Sequence, residues 1–162
     1  MDEIVLRAQA KWPGVPDVYG WLSLDRRGRW LLRNAARGTY EPIGNAALRQ
    51  FIARNYTCDA RGRWFFQNGP QRVFARLAYT PLVVRAHDET FLDQCGRIYD
   101  SRGAMLDEEG SVLLRADGSI ALLDDRDLAA YAEAQGDAID RLPTIQSRDV
   151  PGRFGFVLDP AP

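Results

Sequence analysis

From Arg72 to Tyr79 the chain alternates, with Val73, Ala75, Leu77 and Tyr79 on one side and Arg72 and Arg76 on the other. A period of two predicts a half-buried strand. Pro81 removes a backbone donor and interrupts that strand, and Leu82–Arg85 resumes it. Val112–Leu114 and Ile120–Leu123 read as a further strand pair, closed by the turn Arg115-Ala116-Asp117-Gly118. Two segments switch to helical spacing. Asn45 caps a stretch whose Leu48, Phe51, Ile52 and Tyr56 share one stripe. Asp124 or Asp125 caps a second stretch, with Leu128, Tyr131 and Ala132 on its stripe and Gly136 as its stop. A short helix is predicted over residues 2–10, capped by Asp2, with Ile4, Val5 and Ala8 on one side and the Trp12-Pro13-Gly14 run ending it. A last strand is predicted at Phe154–Leu158.

The hairpin turns carry an internal echo. Asp25-Arg26-Arg27-Gly28-Arg29-Trp30-Leu31-Leu32-Arg33-Asn34 returns 34 residues later as Asp59-Ala60-Arg61-Gly62-Arg63-Trp64-Phe65-Phe66-Gln67-Asn68, with six of ten positions identical. An Asp opening a turn accepts backbone N–H bonds, and a Gly three residues on takes the exit geometry. Looser copies lie at Asp93-Gln94-Cys95-Gly96-Arg97 and Asp100-Ser101-Arg102-Gly103. A hairpin precedes each main helix, Leu22–Asn34 in one case and Val112–Leu123 in the other. The expected fold is therefore α+β: antiparallel sheets built from repeated β-hairpins, with about two packed helices, in two related lobes.

Composition adds a division of charge. The chain has 162 residues and a net charge of −1. Residues 1–86 carry 14 basic and 6 acidic side chains, whereas residues 87–162 carry 7 basic and 16 acidic ones. The expected domains are a basic hairpin–helix lobe (1–86) and an acidic hairpin–helix lobe (87–162), as two bodies or one compact domain. The two signs pair either within one chain or between the copies of a two-fold homodimer.

The turn Gly28 and Trp30, Pro42-Ile43 before Leu48 and Phe51, then Asp59, Gly62 and Trp64, then Pro70, Val73 and Pro81 form an ordered series. This series resembles an uncharacterised proteobacterial family of unknown function. The resemblance covers a little over a third of the chain and implies a shared fold of two lobes built on repeated hairpin–helix motifs. It carries no catalytic residue across. The stretch Arg37-Gly38-Thr39-Tyr40-Glu41 before Pro42 departs from the family pattern as an apparent insertion.

Rare residues exclude several chemistries. His87 is the single histidine, too few for an imidazole-based metal site, and any Ser-His-Asp relay would have to run through it. Lys11 is the single lysine and follows no Gly-rich phosphate loop. Cys58 and Cys95 form no CxxC motif and read as small hydrophobes. The carboxylate clusters Asp107-Glu108-Glu109 and Asp124-Asp125-Arg126-Asp127 lack calcium-loop spacing and fit a hairpin turn and a helix start. No cofactor is expected. No apolar run approaches the roughly 18 residues a membrane span needs, and the sequence reads as cytoplasmic.

The leading reading is a non-catalytic small-ligand- or protein-binding module, regulatory in type, taking a small anionic ligand or a protein partner. Its expected ligand-binding residues are Arg72, Arg76, Gln71 and Asn68 around one hairpin, with Trp12 and Trp21 from the aromatic N-terminal segment. One alternative is nucleic-acid binding through the Arg- and aromatic-rich half. Arg61-Gly62-Arg63-Trp64-Phe65-Phe66 is similar to the RNP1 pattern but has Arg63 where an aromatic belongs, and the isoelectric point near 5.8 opposes it. The other alternative is an enzyme using the clustered carboxylates.

Overall fold

A computed structural model describes all residues from Met1 to Pro162. Four helices accompany thirteen strands arranged in two open, mostly antiparallel sheets, an α+β fold. The chain divides into two compact units, one of Met1–Asp25, Arg29–Ala78 and Phe156–Pro162, the other of Arg26–Gly28 and Tyr79–Gly155.

The first unit holds α1 (Glu3–Lys11), α2 (Ala46–Arg54) and strands β1 (Val18–Leu24), β2 (Trp30–Arg33), β3 (Tyr40–Pro42), β4 (Tyr56–Cys58), β5 (Trp64–Asn68) and β6 (Gln71–Leu77). Its sheet runs β3-β2-β1-β6-β5-β4. Each triple is an antiparallel meander, and the two meanders meet where β1 lies parallel to β6. Hairpin turns can only join antiparallel neighbours, so this central pair is invisible to a reading built on turns. The stretch at 37–41 that departs from the family pattern supplies much of the β2–β3 turn and most of β3, with the Tyr40 hydroxyl donating to the Gly20 carbonyl at 2.9 Å.

Register puts Leu22, Leu24 and Trp30 on one face with Ala75 and Leu77. Phe51 of α2 meets Phe66 edge-on at 6.1 Å, and Tyr56 meets Trp30 at 4.7 Å. Ile52 is buried beside them, and each large side chain so enclosed contributes about 1.5–3 kcal/mol. The Asn45 side chain accepts from the Leu48 N–H at 3.0 Å and starts α2 as expected. Tyr56 lies beyond that helix, as the first residue of β4. In α1, Val5 is buried but Ile4 points outward, and the Asp2 side chain serves Arg54 and Asn55 instead of capping its own helix.

The second unit contains β7 (Leu82–His87), β8 (Thr90–Asp93), β9 (Ile98–Tyr99), β10 (Gly103–Asp107), β11 (Val112–Ala116), β12 (Ser119–Leu123), α3 (Leu128–Gln135), β13 (Thr144–Ile145) and α4 (Val150–Phe154). Its order is β13-β10-β11-β12-β7-β8-β9, again two three-stranded meanders joined by a parallel pair, here β12 and β7, with β13 added as a seventh strand parallel to β10. The two sheets thus share one wiring, the first strand of one meander beside the last strand of the other. Helix placement differs: α2 lies between the meanders of its unit, whereas α3 follows both. Pro81 separates strands of different sheets, so Leu82 begins β7 in the second sheet and does not resume β6. The predicted strand at 154–158 is absent. Phe154 ends α4, Gly155 takes a left-handed φ of 66°, and the segment beyond makes isolated bonds, Val157 N–H to Gly62 and Leu77 N–H to Leu158.

One turn device recurs four times. Asp25, Asp59, Asp93 and Asp107 each donate N–H to the carbonyl four residues on, and each Oδ1 accepts that residue's N–H. In the first three the Oδ2 also accepts from the Nε of the closing arginine, at 2.6, 2.8 and 2.9 Å for Arg29, Arg63 and Arg97. The fourth turn closes on Ser111, and the Tyr79 hydroxyl donates to Asp107 at 2.9 Å in the arginine's place. Burial first, then the Asp107 carboxylate, raises the Tyr79 pKa, so the hydroxyl keeps its proton. Hydrogen bonds to a charged group contribute about 1.5–3 kcal/mol each, enough to explain why the motif repeats as a structural part. Asp100–Gly103 is no such turn: Gly103 lies in β10, where a Cβ would approach the Arg115 guanidinium to 3.0 Å.

Candidate functional site

The six residues expected to bind ligand all lie in the first unit. Asn68 and Gln71 are cross-strand partners at the β5–β6 hairpin, and Gln71 donates to the Pro16 carbonyl at 3.0 Å. Arg72 lies over the Phe65 ring at 5.1 Å, and Arg76 faces Asp159 at 3.6 Å. Trp12 is exposed with Lys11 over its ring, and Trp21 is exposed on β1. The structure thus gathers Asn68, Gln71 and Arg72 at one hairpin and leaves Arg76, Trp12 and Trp21 with other neighbours. None of the six lines either of the two cavities described next.

The larger cavity, about 610 Å³, lies within the second unit beneath α3. Cross-strand partners share a sheet face. The pairs Ala104–Leu114 and Ala86–Phe91, together with Leu123, therefore form one apolar floor. Ala130, Tyr131 and Ala134 line the cavity from α3, at spacings of one helical face. No residue of α3 is buried. Within α3 the expected stripe of Leu128, Tyr131 and Ala132 is the half-buried face, and the other five residues are exposed. Ala130 and Ala134 beside that stripe are exposed, and their small side chains leave the space along this edge of the helix open. Phe91 and Tyr131 stand 6.4 Å apart with ring planes at 53°.

The cavity mouth is acidic. Asp88 and Glu89 form the two-residue link of the β7–β8 hairpin, and both line the cavity. Asp88 has a φ of 50° and is the one non-glycine residue in the left-handed region. Its carboxylate is 3.4 Å from His87, which sits exposed at the strand end as the sequence suggests. Asp127 is the third carboxylate of the lining, and it accepts from Arg85 at 2.6 and 2.9 Å and from the Ala86 N–H. No arginine or lysine lines the cavity.

A smaller cavity of about 320 Å³ in the same unit is lined by charges that already pair with one another. Arg27 binds Asp125 at 2.7 Å, and Arg26 reaches Ser111 at 2.7 Å and Glu109 at 3.7 Å.

Those bonds settle most of the acidic clusters. Glu108 accepts from the Ser147 N–H and hydroxyl, and Asp125, Asp127 and Glu109 each face an arginine. Asp124 is fully buried and caps the turn before α3. Burial alone would raise its pKa, but bonds from the Arg126 side chain and N–H outweigh that and hold it down to about 2. Arg85 lowers the Asp127 pKa, and Ser147 lowers that of Glu108. A general acid at neutral pH needs a raised pKa, so these three carboxylates are placed for structure rather than proton donation. No group of three or more metal-ligating side chains is assembled. Cys58 and Cys95 are both free. Cys58 is exposed, unlike the buried hydrophobe expected, and burial pushes Cys95 up to about 12, far from a reactive thiolate. No helix is long and apolar enough to cross a membrane.

Counted by unit, charge is less divided than by halves. The first unit has 11 basic and 7 acidic side chains, the second 10 and 15. Arg26, Arg27 and Arg85, all from the basic half of the sequence, belong to the second unit and neutralise Glu109, Asp125 and Asp127 there.

Against known proteins, the model of a family designated DUF2944 and described as "Protein of unknown function (DUF2946)" matches residues 1–161. The chain belongs to this family. Membership confirms the expected tie to an uncharacterised family and assigns no activity. The chain is also similar to a crystal structure of a DUF1285 family protein from Silicibacter pomeroyi DSS-3, with TM-score 0.50 and 16% identity over 82% of this chain and 84% of that one. A DUF1285 family protein from Shewanella baltica OS155 gives TM-score 0.45 and 14% identity over 74% and 94%. At such identities the first likeness concerns the fold alone. No curated protein matches the sequence.

Proposed function

We propose that this protein is a non-catalytic binding module whose second unit takes a small, largely apolar ligand in the cavity beneath α3. The observation that carries this reading is a helix with no buried residue standing over an apolar sheet face. A helix held in place only for packing would close that gap, since interiors pack to near-crystalline density. A volume of about 610 Å³ falls in the range of small-molecule sites, roughly 300–1,000 Å³. The non-catalytic part rests on the clusters above, whose carboxylates are engaged in turns, caps and ion pairs. An anionic ligand suits this cavity poorly, because its lining carries carboxylates and no cation. Nile red, a neutral apolar fluorophore, is the first probe. Saturable blue-shifted emission at one molar equivalent is the expected result. Emission no greater than that of free dye, at protein concentrations up to the millimolar range, would sink the proposal.

A further inference from the structure

We infer that the ligand of this cavity is an organic monocation: an ammonium group, methylated ammonium above all, on a hydrocarbon or aryl body. The inference rests on the binding reading just given and adds the charge and shape of the ligand head. Phe91 and Tyr131 meet at 6.4 Å and 53°, forming two walls of a corner rather than a flat stack. A cation in such a corner lies over both ring faces, within the roughly 6 Å over which ring quadrupoles attract it. Alkylated ammonium groups gain most, since their methyl surface sheds water easily while the charge stays delocalised over it.

The carboxylates set the sign. Asp88 and Glu89 stand on the same hairpin as Phe91, three and two residues before it, and all three line the cavity. Asp127 is already matched by the Arg85 guanidinium, so it adds little net charge. Glu89 makes no ion pair, and Asp88 has only His87 beside it. The lining supplies no opposing lysine or arginine. The floor of Ala104, Leu114 and Leu123 has no polar side chain with which to hold a second charged group. The ligand is therefore cationic at the mouth and apolar within.

The test is calorimetric titration of the whole chain with hexyltrimethylammonium, octanol and octanoate, molecules of similar length, each below its aggregation concentration. The expected order is cation tightest, alcohol weaker by about fivefold or more, and carboxylate weakest, since each rim charge contributes up to roughly fivefold. Asp88→Asn with Glu89→Gln should bring the cation down to the alcohol and leave octanol unchanged; Asn suits the left-handed backbone at position 88. Tyr131→Leu keeps apolar bulk and should weaken the cation selectively. Equal binding of all three probes would overturn the cationic head while leaving the cavity reading intact. Failure of all three would overturn both.

Discussion

Ala130→Trp with Ala134→Trp is expected to abolish binding in the cavity while leaving the fold in place. Both alanines line the cavity and both are exposed, so indole rings enter open space at its edge instead of displacing neighbours. Overpacking a filled core costs typically 1–3 kcal/mol, but here apolar surface already facing the cavity becomes covered. The helix loses about 0.5 kcal/mol of intrinsic propensity at each position, and burial of each ring returns more than that. The thermal midpoint should stay level or rise, and Nile red emission should drop to that of free dye. Retained binding at wild-type affinity would show that the probe sits elsewhere.

Asp124→Ala should lower stability at neutral pH by about 2–3 kcal/mol and remove much of the acid sensitivity of the second unit. Asp124 is fully buried, and its carboxylate accepts from Arg126 N–H, Nε and Nη2 at 3.0, 2.8 and 2.5 Å. Its pKa falls from 3.8 to about 2 on folding. A depressed folded pKa means stability that is present above 3.8 and lost as pH falls toward 2. That difference is worth about 2 kcal/mol. Urea unfolding followed at pH 7, 4 and 2 should show the wild type losing this increment across the acid range and the variant lacking it. Parallel acid profiles for the two proteins would contradict the assignment.

Turns, caps and helices were legible because their chemistry is local. Asp25, Asp59 and Asp93 bond within five residues, Asn45 caps its own helix, and Gly136 stops α3 with a φ of 51°. What stayed hidden depends on partners far apart in sequence. The parallel pairs β1–β6 and β7–β12 leave no turn signature. Phe154, Phe156 and Leu158 alternate as a strand does, yet the helical turn ending at Gly155 consumes the first of them. The cavity was hidden for a related reason. Tyr131 on an apolar stripe reads as core, and only the tertiary structure sets it, with the exposed Ala130 and Ala134, along one cavity with Leu114 and Ala104. The signal available was the alanine content of α3, whose Ala130 and Ala134 leave one edge of the helix without bulk.

The most direct measurement is a backbone and methyl NMR titration of the full chain with hexyltrimethylammonium. Saturable shifts confined to the methyl groups of Ala104, Leu114, Ala130 and Ala134 and the amides around Phe91 are expected. Shifts centred instead on Trp12, Trp21 and the β5–β6 hairpin, with the α3 residues unmoved, would contradict a binding site in the second unit.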